Sequence, residues 1–253
     1  PGDAQQTKIY TLDNGMKVIV REDHRAPVAV NMVWYQVGSM DETNGTTGVA
    51  HVLEHMMFKG TEKFPEGSLS KTVARLGGKD NAFTNTDYTG YYQQVPARNL
   101  EKMVEMEADR MNGLLFRKED FEKEIKVVQE ERRWRTDDKP EGLLVEALRA
   151  AAFTAHPYHW PVVGWMDDLQ NMTLEDAAAW YQKWYAPNNA TMVVVGDVKE
   201  QDVRALAEKY FGGLPKKPLV RGKPQTEPQQ RGIRRVTVNA PAENPTVVLA
   251  YKA

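Results

Sequence analysis

The period of the apolar residues changes near Gly38. Before it the chain alternates. KIYTLDNGMKVIVRED carries two short apolar runs around Asn14 and Gly15, a pair that tolerates the positive φ angles of a tight hairpin turn, and APVAVNMVWYQVGS is a longer run of the same kind. From about Thr47 to Phe58, Val49, Val52, Leu53, Met56 and Met57 recur at helical spacing, with Thr46 or Thr47 as the expected cap and Gly60 as the terminator. Strands followed by a one-faced helix set the expected class: α+β, a mostly antiparallel β-sheet packed with several α-helices.

The same reading continues along the chain. SLSKTVARLGG predicts a helix ended by Gly77 and Gly78, and KDNAFTNTDYTGYYQQV a hairpin turning near Thr86 and Asp87. Helices are expected over Arg98 to Met111, Lys118 to about Arg135 and Glu141 to Phe153, then a loop in AHPYHWPVVGW. Thr173 is expected to cap a helix that runs to Trp184 and is stopped by Pro187. ATMVVVGDV reads as a buried strand and QDVRALAEKYFGGL as an amphipathic helix. Residues 215–232, rich in proline and polar groups, read as a linker with almost nothing to bury. RRVTVN and PTVVLAYKA alternate like strands. The expected organisation is therefore one domain over 1–214, the linker, and over 233–253 the first strands of a second domain, incomplete where the chain stops. The start at Pro1, without methionine, carries the expectation that an upstream segment has been removed.

Composition excludes several classes of function. The 33 basic and 35 acidic side chains give a net charge of −2 with no long block of one sign, which argues against capture of nucleic acid or of an anionic membrane surface. No apolar run is long enough for a membrane span. Cysteine is absent, so disulfides, thiolate metal sites and cysteine nucleophiles are excluded, and any metal site must use histidine and carboxylate. A soluble protein is expected, with the periplasm slightly favoured over the cytoplasm.

Two of the five histidines lie in the helical stretch GVAHVLEHMMFKG. At about 100° per residue, His51, Glu54 and His55 share one face, opposite the apolar one. Histidines at i and i+4 can converge on one ion, as in helical zinc sites. The bland alternative is a pair of polar residues on a partly exposed helix. A closed site needs a third ligand from another element. In KEDFEKEIKVVQEERRW the apolar stripe Phe121, Ile125, Val128 extends to Glu131 at one end and passes Glu124, so both carboxylates fall at or near the core-facing side, and either could be that ligand. A buried carboxylate needs a partner, and a dication is one.

His51-x-x-Glu54-His55 followed at a distance by Glu131 resembles the inverted-motif zinc peptidases of the insulinase and pitrilysin superfamily, M16. HVLEHMMFKGT is similar to the mitochondrial-processing-peptidase branch and its bacterial relatives, and GGKDNAFTNTDYTGYY, EKEIKVVQEE and HPYHWPVVG also look like the family's. The resemblance covers residues 7–253 and implies the N-terminal half of an M16, LuxS-like fold. It implies that His51, His55 and Glu131 bind one Zn²⁺, that Glu54 is the general base, and that Glu124 supports the site. It also implies that Asn81, Ala82 and Phe83 lie on an edge strand to which an extended peptide adds. Phe83 and Tyr88 read equally well as substrate contacts or as packing residues.

The implied activity is that of a zinc metalloendopeptidase acting on extended peptides through a zinc-activated water. Three protein ligands leave a position for that water, whose pKa zinc lowers to about 7. The implied partners are peptide substrates and a second M16 half or homologous subunit, in a homo- or heterodimer. The alternative is a non-catalytic or incomplete chamber-forming subunit; a metal-binding protein that is not a peptidase fits the edge strand less well. His156 and His159 read as structural or surface residues, and His24 has no partner that the sequence identifies.

Overall fold

The computed structural model describes residues 7–253. Six strands, β1 (Lys8–Thr11), β2 (Lys17–Glu22), β3 (Val28–Tyr35), β4 (Lys79–Thr84), β5 (Thr89–Pro96) and β6 (Ala190–Gly196), form one sheet in the order β1-β2-β6-β3-β5-β4. Among the described strands, β2 and β6 alone pair in parallel and the other pairs are antiparallel. Gly15, at φ 92°, makes the first hairpin turn.

The sheet is one-sided. On β3, Ala29, Asn31, Val33 and Tyr35 are buried and the intervening residues are only partly so, and β6 alternates in the same way. Helices α1 (Val49–Met56), α2 (Ser68–Arg75), α3 (Leu100–Gly113), α4 (Lys118–Arg132), α5 (Pro140–Ala152), α6 (Met166–Asn171), α7 (Leu174–Trp184) and α8 (Glu200–Tyr210) complete the fold. Helix α1 touches α7, α4 and β4. Its residues Val52, Leu53 and Met56 are fully buried, each stabilising the fold by about 1.5–3 kcal/mol. The helix that carries the HxxEH motif is thus wedged between the sheet and two other helices.

A polar chain crosses this core. Asn31 Nδ2 donates to Gln93 Oε1 at 3.0 Å, Gln93 Nε2 donates to Glu107, and Arg110 pairs with Glu107 through Nε at 3.0 Å and through Nη2. The Arg110 guanidinium lies over the rings of Tyr91 and Phe58 at 4.6 and 5.1 Å.

Several expectations change. Helix α6 lies in a stretch without a predicted element, because six residues are too few to show a period. Helix α4 ends in a π-helical turn, Arg133–Asp137. The alternating runs over 233–253 are exposed chain without strand pairing, since alternation makes a strand only where a neighbouring edge accepts its backbone. The linker is better anchored than its composition suggests. Arg221 Nη2 donates to Gln36 O at 2.6 Å and to Asn189 Oδ1 at 2.9 Å. Glu227 accepts from the backbone N–H of Thr154 and His156, and just past the linker Arg234 donates to the carbonyls of Ala151 and Ala152.

Candidate metal centre

Helix α1 is held at its N-terminus by carboxylates outside the usual capping position. Thr46 and Thr47 do not cap it. The cap position is Gly48 at φ 90°, and the carboxylate of buried Glu42 accepts from Gly48 N at 2.9 Å and Ala50 N at 2.8 Å. Thr47 turns instead to Asp168, which accepts from both its backbone N and its hydroxyl. A Cβ on Gly48 would come within 2.5 Å of Val163 O, and one on Gly164 within 2.4 Å of Thr47 O, so both glycines are required by the close approach of the two loops. Glu42→Ala leaves two N–H groups at a buried helix start unpaired and is expected to cost about 2–4 kcal/mol of unfolding free energy, read from urea denaturation.

One turn further on, His51 and His55 point toward α4. His51 Nε2 and His55 Nε2 are 3.3 Å apart, and Glu131 Oε2 lies 3.6 Å from the first and 3.3 Å from the second. Ligands placed about 2.1 Å from one tetrahedral ion are about 3.4 Å from each other. The three atoms already have that spacing, so the residues fit one zinc ion, and they form a group of potential metal-binding side chains.

The surrounding charges agree. Burial and the neighbouring His55 push the His51 imidazole below its ordinary pKa. Burial also works against a charge on His55, but hydrogen bonds to Glu124 and Glu131 outweigh it and raise its pKa. The hydrogen bond from His55, opposed by burial, holds Glu131 below the usual carboxylate range. These carboxylates favour positive charge at the site, which a dication would supply in place of a proton on His55 Nε2.

The two candidate carboxylates of α4 have different partners. Glu131 faces both Nε2 atoms, and its other oxygen is 2.7 Å from Arg135 Nη1. Glu124 Oε2 lies 3.0 Å from His55 Nδ1 and therefore accepts its N–H, which reserves His55 Nε2 for an ion. Lys59 Nζ lies 2.7 Å from Glu124 Oε1. Among the described residues, His51 Nδ1 has no hydrogen-bond partner.

Glu54 stays outside the donor group. Its Oε2 accepts from the Thr84 hydroxyl of β4. Burial raises its pKa, against the lowering effect of the Thr84 bond. A cavity of about 360 Å³ adjoins Glu54 and His55 and is walled partly by Phe58, Phe64 and Met106.

β4 ends the sheet and pairs with β5 alone among the described strands. The turn bond from Asn85 N to Tyr88 O fixes the alternation of the ladder, so Ala82 and Thr84 direct their backbone groups to the open edge. The Asn81 side chain already accepts from Ala82 N at 2.8 Å. Phe83 and Tyr88 both pack on Trp34, with ring centroids 4.9 and 5.3 Å away. His24 does have partners: Asp197 at 2.6 Å and Glu22 at 3.0 Å. His156 accepts from Tyr158 N.

Sequence reasoning missed Glu42, Asp168, Thr84, Lys59 and Arg135. Only Arg135 carried a local signal, being four residues after Glu131 on the same helical side.

Residues 17–164 match the family described as insulinase (Peptidase family M16), and residues 171–253 match the Peptidase M16 inactive domain. The chain is 40% identical over 246 residues to the zinc protease PqqE of Helicobacter pylori, covering 96% of this chain and 55% of that protein. To the mitochondrial-processing peptidase subunit beta of Lentinula edodes it is 31% identical over 223 residues, covering 87% of this chain and 48% of that one. Among solved structures, a protease from Helicobacter pylori superposes with a TM-score of 0.87 at 39% identity, over 90% of this chain and 56% of that one. The periplasmic protease PqqL from Escherichia coli superposes with a TM-score of 0.80 at 27% identity, over 90% of this chain and 26% of that one. The chain spans about half the length of the curated relatives it matches.

Proposed function

Because the chain belongs to peptidase family M16, we propose that it supplies the catalytic half of a zinc metalloendopeptidase that cleaves extended peptides. The observation that carries this reading is the set of three donors, His51 Nε2, His55 Nε2 and Glu131 Oε2, spaced for one ion with Glu54 beside them but not among them. Zinc, when bound, polarises the scissile carbonyl and makes water acidic enough to attack near neutral pH.

This chain's own residues do the rest. Glu54 takes the proton from the attacking water and passes it to the leaving amine, a role suited to a carboxylate whose pKa is raised by burial. Glu124 fixes the ring of His55. The open edge of β4 receives the peptide as an added strand, with backbone bonds at Ala82 and Thr84 giving affinity of limited sequence selectivity. Entry of the peptide displaces the Asn81 side chain from Ala82 N. Phe83 and Tyr88, held by Trp34, flank that strand and would touch substrate side chains.

The residues up to 214 act as one unit, with 215–232 as the connection to a further domain that begins over 233–253. A second half or a homologous subunit then completes the substrate chamber. The Escherichia coli neighbour, described as periplasmic, favours the periplasm.

The test is metal dependence. Hydrolysis of a quenched peptide is expected to disappear on chelation and return with zinc, and activity that survives complete removal of metal would overturn the proposal. Glu131→Gln is expected to weaken zinc binding by at least about tenfold, measured by competition with a chromophoric chelator. Unchanged affinity would remove Glu131 from the ligand set.

A further inference from the structure

Past the donors, a line of alternating charge leads away from the metal centre. His55 Nδ1 meets Glu124 Oε2 at 3.0 Å, Glu124 Oε1 meets Lys59 Nζ at 2.7 Å, and Lys59 Nζ meets Glu66 Oε1 at 3.1 Å. Lys59 and Glu124 are largely shielded, with 12% and 15% of their side chains exposed, whereas Glu66 is 55% exposed. The inner bond of this line is thus protected from competing water, and the outer one is not.

We propose that Lys59 is a positioning residue of the metal centre, acting through Glu124 on His55. The inference rests on the metallopeptidase reading above. Three observations support it. First, the two oxygens of Glu124 are divided between Lys59 and His55, so the lysine fixes the carboxylate in the orientation that accepts from His55 Nδ1. Second, this is the one such support that the histidine pair has among the described residues, because His51 Nδ1 is buried without a partner. Third, Lys59 lies four residues beyond His55, in the turn that follows α1. There its N–H bonds to Met56 O, and the guanidinium of Arg117 donates to its carbonyl at 3.3 Å, so the backbone from which it reaches is itself held.

With the lysine in place, Glu124 stays aimed at His55 Nδ1, and His55 Nε2 is presented to the ion. Without it, a partly buried carboxylate loses its cation and is free to turn away from the imidazole. Lys59 also ties this support to the loop that carries Glu66 and walls the adjoining cavity.

The test is a double-mutant cycle on zinc affinity, read by equilibrium competition with a chelator and needing no hydrolysis. Lys59→Met keeps the length of the side chain without its charge, and it is expected to weaken zinc binding by about tenfold, the lower end of the range for outer-shell partners. In a Glu124→Gln background the same substitution is expected to change affinity by less than about twofold, because the lysine has lost the group through which it acts. Lys59→Arg is expected to restore most of the affinity. An equal loss in both backgrounds, or no loss in the parent, would overturn the proposal. Circular dichroism on each variant separates misfolding from loss of positioning, and Lys59→Arg tests the idea if Lys59→Met fails to fold. A parent chain that binds no zinc would overturn the metal centre itself and this inference with it, while a parent that binds zinc but shows no coupling overturns the inference alone.

Discussion

Glu54→Gln is expected to leave zinc in place and to lower peptide hydrolysis by about 10²–10⁴-fold, the usual contribution of a positioned base. The substitution changes little besides proton affinity. An amide has the shape of the carboxylate, its oxygen can still accept from Thr84, and Glu54 is not one of the three donor atoms. Metal content and turnover should be measured on the same preparation. Turnover close to that of the parent would remove Glu54 from the role of base, and loss of zinc would make it a ligand.

The second large effect concerns stability. Glu107 is fully buried, and Arg110, at 5% exposure, has Glu107 as its carboxylate partner. Glu107→Ala strands a guanidinium in the core and also removes the acceptor of Gln93. The expected cost is about 3–5 kcal/mol, a large part of the roughly 5–15 kcal/mol that holds a typical domain together. Replacing both members, as in Glu107→Leu with Arg110→Met, should recover the part of it due to the lone charge, while Gln93 Nε2 still lacks its acceptor. Urea unfolding of the single and double variants tests this; a single variant as stable as the parent would mean that water reaches Arg110.

The sheet and most helices were legible because their residues repeat at the period of the element: β3 and β6 alternate, and α1, α7 and α8 keep one apolar face. The three residues that share the polar face of α1 were legible for the same reason. Period could not divide the roles of Glu124 and Glu131, since both lie near one stripe of α4. The crossing of α4 over α1 divides them, by setting one carboxylate against Nδ1 and the other against both Nε2 atoms. Partners fixed by tertiary approach left no local trace, as with Asp197, which binds His24 from the end of β6; Glu42 caps α1 from outside any capping motif. At 233–253 alternation alone does not make a strand: the two runs RRVTVN and PTVVLAYKA pair with no edge among the described residues.

The uncovered edge of β4 has a consequence for solution behaviour. An edge open to any extended peptide is equally open to the same edge on another molecule, the first step of β-aggregation. Lys79 and Asp80 place opposite charges at its start, and the amide of Asn81 stoppers the N–H of Ala82. These are modest obstacles. Two edges meeting must bring like charges together or displace two stoppers at once, whereas a single flexible peptide displaces one. The strand is therefore guarded more strongly against its own kind than against a guest.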